Sequence, residues 1–280
     1  MCRLYFILIL SVILTPVFDQ NNHYSNTVFL EKLHSDTDYL TLKEKITKEF
    51  THAIPGHWGE FVKGVDEDLV TQQKIIAFTF DACGGKNADE YDAELIDYLR
   101  KEKIPATLFV TGKWIDANYL TFLNLSKDPL FEIENHGLNH KPCSVDGESE
   151  YGIHGTKDSS DAFDEVEGNA RKIKEITNRR PLFYRSATAY TDEACAKLVK
   201  QLGITMISFD VLSGDAVPYV NKKNIVDNVV KNVTPGAIVI MHFNHPKWNT
   251  FEAMQDIIPL LRNEGYHFAK LEDFPLRSKK

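Results

Sequence analysis

From Lys74 onward the chain alternates between short apolar, β-branched runs and amphipathic helical patterns, and no other feature limits the fold as much. The strand-type runs are Lys74–Phe80, Ala106–Val110, Phe131–Asn135, Leu182–Ser186, Thr205–Phe209, Ala237–Met241 and His267–Leu271. Between them, Asp89–Lys103 puts Ala93, Leu95, Ile96 and Leu99 on one side, and Ser160–Thr177 repeats Phe163, Val166, Ala170, Ile173 and Ile176 at helical spacing. Helical patterns over Asp192–Leu202, Asn224–Asn232 and Phe251–Glu264 complete the set. Strand–helix alternation of this kind yields parallel strands joined by right-handed crossovers. Seven strands predict an α/β fold, a distorted (β/α) barrel of TIM type that is one unit short. An open doubly wound sheet is the alternative. No Gly-x-Gly-x-x-Gly follows the first strand, so a dinucleotide site has no support.

In such barrels the functional groups gather at the carboxyl ends of the strands. The first run ends abruptly as Phe80-Asp81-Ala82-Cys83-Gly84-Gly85. A carboxylate delivered there by a buried strand is costly unless paired, liganded or catalytic. Its use as a plain cap for the helix near Asp89 is disfavoured by the length of the turn between them. Other strand ends bring His136 and His140, Arg185, Asp210 and His242 to the same rim. Two histidines four apart are more often surface residues than a site. At a strand end opposite Asp81, however, two neutral imidazoles can meet one ion once the backbone turns. Such an ion is open-sided, the arrangement of catalytic metals; zinc is the expected species, while cobalt, nickel and manganese also suit imidazoles with oxygen ligands.

The 280 residues, 43% hydrophobic, are enough for one large domain. The net charge is −8 and no Lys/Arg block precedes the last few residues, so nucleic acid is not expected as a partner. Residues 1–18 hold Arg3, an apolar run from Leu4 to Leu14 and then Thr-Pro-Val-Phe, the pattern of a secretory signal. The run is short for a membrane span, but without a small-x-small cleavage site an uncleaved anchor stays open. Residues 19–73 read as a leader packing on the barrel, with a helix across Thr41–His52 and a turn, Pro55–Gly59, carrying Trp58 as a plug against the barrel wall. Residues 74–280 are expected to form the domain that carries the rim residues, the catalytic domain of any enzyme built on this chain. His23, His34, His52 and His57 have no metal-type spacing. The connection Lys141–Ser159, with Tyr151 and His154, is long enough to be either a wall of a substrate groove or an unstructured insertion.

Together these residues resemble the NodB-type polysaccharide deacetylases, the family-four carbohydrate esterases, from about Lys74 to Phe274. Thr79-Phe80-Asp81 match the first motif of that family, His136 and His140 the second, Arg185 the third, Asp210 the fourth, and Ile240-Met241-His242 the fifth. The resemblance implies a secreted or cell-envelope, metal-dependent hydrolase that removes N-acetyl groups from an amino-sugar polysaccharide, peptidoglycan or a chitin-like glycan. It makes Asp81 the general base, His136 and His140 metal ligands, Arg185 the residue that orients Asp81, His242 the general acid, and Asp210 the acid beside His242.

The pattern departs from the family at several positions. Gly137 replaces a hydroxyl residue, Ala187-Thr188 stand in place of Pro-Tyr, and no Trp follows Asp210. Ala82 replaces the Asp that supplies the third metal ligand. Asp81 turning to the metal, a water, Cys83, or a weakly bound metal are all open. Two other functions follow from that vacancy: a glycan-binding pseudoenzyme, and a hydrolase of another small or cyclic amide. Because the first two motifs converge in the family, a Cys83–Cys143 disulfide is also expected, with Cys195 competing for either partner.

Overall fold

The computed structural model describes residues 25–278. The expectation for the signal-type segment 1–18 lies outside the described residues. Two helices, α1 (Asn26–Leu33) and α2 (Thr37–Phe50), come first, followed by three short strands, β1 (Trp58–Gly59), β2 (Val65–Asp66) and β3 (Asp68–Leu69). The main alternation then runs β4 (Ile75–Ala82), α3 (Ala93–Glu102), β5 (Ala106–Val110), α4 (Gly112–Ala117), α5 (Tyr119–Ser126) and β6 (Phe131–Asn135). A hairpin of β7 (Ser149–Glu150) and β8 (Ile153–His154) leads to α6 (Ser159–Thr177), β9 (Phe183–Tyr184), β10 (Thr191–Asp192), α7 (Glu193–Gln201), β11 (Thr205–Ile207) and β12 (Val211–Leu212). The chain ends with α8 (Lys222–Asn232), β13 (Ile238–His242), α9 (Thr250–Asn263), β14 (His267–Ala269) and β15 (Leu276–Arg277).

The main sheet is parallel throughout and β4 is its centre, flanked by β13, β5 and β14. Its order is β12-β13-β4-β5-β6-β9-β11-β2. Curling brings its ends together through one interrupted strand: β11 pairs with β9, and β12, which follows after three intervening residues, pairs with β13. The register levels the carboxyl ends. Asp81 stands opposite His242, Val110 opposite Asn135, and Asn135 opposite Tyr184. Side chains that leave these strand ends therefore meet above the same mouth.

β4 reads as a near-continuous apolar run because both of its faces are covered. Ile76, Phe78, Phe80 and Ala82 pack outward in a buried cluster with Leu95, Ile96 and Leu99 of α3 and Met254, Ile257 and Leu261 of α9. Ala77 lies in a separate inner cluster with Phe109, Ile207 and Ile238. The helices are fixed at their starts by side-chain caps: Asp92 accepts from Leu95 N–H at 2.9 Å, and Asp158 from Ser160 and Asp161.

The residues ahead of β4 belong partly to the sheet itself, since β2 extends it beyond β11. The leader helices α1 and α2 lie on α6: Phe29, Leu33, Tyr39, Ile46 and Phe50 share a buried cluster with Phe163, Val166 and Ala170. Trp58 sits 5.8 Å from the Tyr190 ring, on the strand pair β1–β10. Among the described residues no helix is long and apolar enough to cross a membrane.

Candidate active site

Asp81 and Arg185 are both buried at the mouth of the barrel. Arg185 donates one Nη1 hydrogen bond to Asp81 Oδ1 and another to Thr79 Oγ1, each at 2.8 Å, and Nη2 donates to the Ser208 carbonyl at 2.7 Å. Its guanidinium lies 4.3 Å above the Phe109 ring. The arginine is thus locked by β4, by the carbonyl that follows β11 and by a ring face, and it fixes one oxygen of Asp81 while leaving Oδ2 toward the cavity. Oδ2 is 3.8 Å from Nε2 of His136.

His136 follows β6, and its Nδ1 lies 2.9 Å from the Arg185 carbonyl. That contact assigns the proton to Nδ1 and turns Nε2 inward as a free lone pair, the usual way a ligating imidazole is oriented. The chain then turns through Gly137, with φ of 88°, so that His140 returns with its ring 5.0 Å from His136. His140 itself has φ of 59°. Glu165 of α6 holds this turn: its carboxylate accepts the backbone N–H groups of Asn139 and Lys141, the residues on either side of His140, at 2.9–3.0 Å. The same carboxylate explains Gly137. A Cβ there would lie 2.4 Å from Glu165 Oε1, so the hydroxyl residue of the family pattern has no room.

Cys83, in the turn after β4, completes the group. One ligand atom each from Cys83, His136 and His140 all lie within 4.8 Å of one another. Burial works against the thiolate, but His140, His136 and His242 around it outweigh burial and hold the Cys83 thiol well below its usual range. A thiolate and two imidazoles are a donor set for a soft or borderline divalent ion.

His242, at the end of β13, faces the cluster from the other side. Its carboxylate partner is Asp215, not Asp210. Asp215 Oδ1 lies 3.0 Å from His242 Nδ1, and Oδ2 accepts the His242 backbone N–H at 2.7 Å. Ser213 and Thr250 donate further hydrogen bonds to Asp215. Burial alone would lower the His242 pKa; the Asp215 carboxylate and Cys83 outweigh it and raise it well above the usual value. Asp210 stands between β11 and β12, and its backbone N–H donates to the Ile238 carbonyl. The sequence reading placed the acid at the strand end, whereas the chain carries it five residues further, beyond β12.

These groups line one cavity of about 510 Å³, together with Tyr151, Thr188, Leu212, Val217 and Trp248. Trp248 stacks on His245 at 3.8 Å and meets His242 edge-on at 5.6 Å. Tyr151 and Ile153 come from the Lys141–Ser159 connection, which is folded as the β7–β8 hairpin and forms one wall. Thr188 and Ala189 adopt left-handed backbone, φ 62° and 60°, on another wall.

The thiols fall differently from the expected bridge. Cys83, Cys143 and Cys195 are all free. Cys83 faces the histidines, whereas Cys143 contacts Cys195 in the buried cluster beneath α6 and α7. Burial pushes both of these inner thiols up.

Known proteins share both sequence and fold with this chain. A family model described as polysaccharide deacetylase matches residues 68–207. A peptidoglycan-N-acetylglucosamine deacetylase of Bacillus cereus is 27% identical over 209 residues, 74% of this chain and 90% of that protein. The peptidoglycan-N-acetylmuramic acid deacetylase PdaA of Bacillus subtilis is 27% identical over 206 residues, covering 72% of each. The solved structure of Bacillus subtilis PdaA, a family 4 carbohydrate esterase, superposes with a TM-score of 0.60 at 23% identity, over 86% of this chain and 89% of that one. A pseudoenzyme of the same esterase family from Bacillus anthracis superposes with a TM-score of 0.63 at 21% identity, over 74% of this chain and 67% of that one. With the family match spanning half of its length, the chain belongs to the polysaccharide deacetylase family.

Proposed function

We propose that this protein removes N-acetyl groups from the amino sugars of a polysaccharide of the peptidoglycan or chitin type, outside the cytoplasm. One observation carries the reading: the Cys83–His136–His140 group lies between Asp81, held by Arg185, and His242, held by Asp215, in a single cavity. Amide hydrolysis needs a base for the attacking water and an acid for the leaving amine, and these two pairs supply one each. Asp81 accepts the proton of the water through Oδ2, because Oδ1 is occupied by Arg185. His242 donates to the amine nitrogen through Nε2, because Nδ1 faces Asp215. His136 and His140 would hold a divalent cation, with zinc as the expected species. A bound cation supplies Lewis-acid polarisation of the acetyl oxygen and makes the attacking water more acidic. The exposed Tyr151 ring and the Trp248 face give apolar walls on which sugar rings stack. The segment 1–18 directs export.

The reading is tested by acetate release from peptidoglycan fragments, chitooligosaccharides and small N-acetyl amides, with and without a chelator. Release from a glycan that stops on chelation is the expected result. Glycan binding with no release under any metal identifies a pseudoenzyme, and release from small amides alone identifies a different hydrolase.

A further inference from the structure

The cluster at the mouth contains one more metal-ligating atom than its two histidines. Cys83 lies two residues past Asp81, where the chain turns through Gly84 at φ 71°. A Cβ at Gly84 would sit 2.4 Å from the Trp114 backbone nitrogen, so glycine is required for this close approach. Thr111 Oγ1 donates to the Cys83 carbonyl at 2.6 Å and pins the turn. The side chain is thereby set beside His136 and His140, half-buried at the cavity wall.

Asp81 Oδ2 and His242 Nε2 also face this space, but neither belongs to the set of atoms that all lie within 4.8 Å of one another; the remaining nearby atoms are committed. Asp81 Oδ1 is taken by Arg185. The Ala82 side chain is in the apolar cluster behind the strand. Glu165 accepts backbone N–H groups with both oxygens, and His242 Nδ1 faces Asp215. Among the described residues, the group of three that can hold one ion is Cys83, His136 and His140.

We infer that Cys83 is the third protein ligand, completing a Cys–His–His centre whose fourth position is open to the cavity. The inference rests on the deacetylase reading only for the expectation that a metal binds. On binding, the sulfur donates a lone pair to the cation as the thiolate, any proton still held among the ligands leaves to solvent, and no oxidation state changes. The ligand set makes the site selective: a thiolate favours zinc, cobalt and cadmium over magnesium, calcium and manganese. It also leaves Asp81 outside the coordination sphere and available as a base.

The test is cobalt(II) titration of the metal-free full-length protein under reducing conditions, followed by absorption spectroscopy. One equivalent is expected to produce a near-ultraviolet sulfur-to-cobalt charge-transfer band that Cys83→Ser lacks while its circular dichroism is unchanged. Cobalt bound with no such band, a band that persists in Cys83→Ser, or no binding at all overturns the inference. Should Cys83→Ser fail to fold, iodoacetamide labelling of the wild type decides: zinc is expected to slow alkylation at Cys83, mapped by mass spectrometry, about tenfold or more. An unchanged rate refutes the ligand role. Acetate release is read in parallel. The band without release removes the deacetylase reading and keeps the ligand; release without the band does the reverse.

Discussion

Asp215 grips His242 at two points, taking its backbone N–H on Oδ2 at 2.7 Å and facing its Nδ1 from Oδ1 at 3.0 Å. The ring is thus fixed in one orientation with Nε2 toward the cavity, and the imidazolium form is favoured. His242→Ala is expected to lower turnover about 10²–10⁴-fold, and Asp215→Asn to lower it about 10²-fold with a much smaller change in KM. The two act as one unit, so the double variant should be no slower than His242→Ala alone. A double variant slower by the product of the two single effects would show that Asp215 works independently of His242.

Glu165 reaches no reacting group, yet it sets where His140 stands. Its carboxylate holds the N–H groups on either side of that histidine, against a burial that raises its pKa. Glu165→Gln retains an acceptor but weakens the clamp. Metal affinity is expected to fall about 10–100-fold, the usual cost of losing a group that orients a ligand. Isothermal titration with zinc reads this directly, and an unchanged affinity would mean that the turn holds its shape without the charge.

The central parallel strands β4, β5 and β13 were readable because they are buried on both faces and therefore appear as largely apolar runs. Asp81, His136, Arg185 and His242 were readable because they interrupt or close strand-type runs. Asp215 carried no such signal. It lies in Ser213-Gly214-Asp215, beyond a two-residue strand, and its importance comes only from the fold returning that loop to β13. Gly137 looked like a lost hydroxyl until Glu165, 28 positions away in sequence, was seen to occupy the space. The short helices α4 and α5 escaped because neither is long enough to display a period; α4 is marked only by its Thr111 cap. Cys83 and Cys143 do not meet, for a geometric reason, and Cys195, the competing partner, is the cysteine beside Cys143. Motifs that converge at the rim still send one side chain into the cavity and another into the core behind it.

The pairing of Asp81 with Arg185 is expected to separate stability from turnover. Arg185→Ala leaves a buried carboxylate without its partner and should cost about 3–5 kcal/mol of stability. Asp81→Asn keeps a hydrogen-bond acceptor for Arg185 and removes the base, so it should fold and bind metal but lose nearly all turnover. Urea denaturation of both variants, beside acetate release, is the check. Wild-type stability in Arg185→Ala would contradict a buried ion pair.

Asp92 links pH to stability. It caps α3 through Oδ1, but Oδ2 is buried without a partner, and burial pushes the carboxyl up to about 6. An acid raised on folding binds its proton more tightly in the native state. Stability should therefore be highest below the unfolded value near 4, decline as pH rises to about 6, and stay reduced above it. The cost at neutral pH is at most about 3 kcal/mol, and nearer 1 once partial solvent screening is allowed for. Asp92→Asn keeps the cap and removes the titration, so its Tm between pH 4 and 7 should be flatter than that of the wild type. Parallel curves would exclude Asp92 as the source.

Ala82 is where the family pattern suggests a repair. Restoring the acid with Ala82→Asp looks like adding a missing ligand, but the side chain at this position is fully buried among Phe80, Leu108, Val110 and Trp114. A carboxylate placed there meets apolar neighbours and no cation, and it either stays protonated or pays several kcal/mol for ionisation. The third coordination position, meanwhile, already has Cys83 beside it. Ala82→Asp is therefore expected to lower stability, to leave metal affinity no better than in the wild type, and to reduce turnover. Combining it with Cys83→Ala tests whether the strand can rotate the new acid toward the metal when the thiolate is gone. Tighter zinc binding and faster acetate release in the single variant would show that the site still has a vacancy for a carboxylate, and that Cys83 does not fill it.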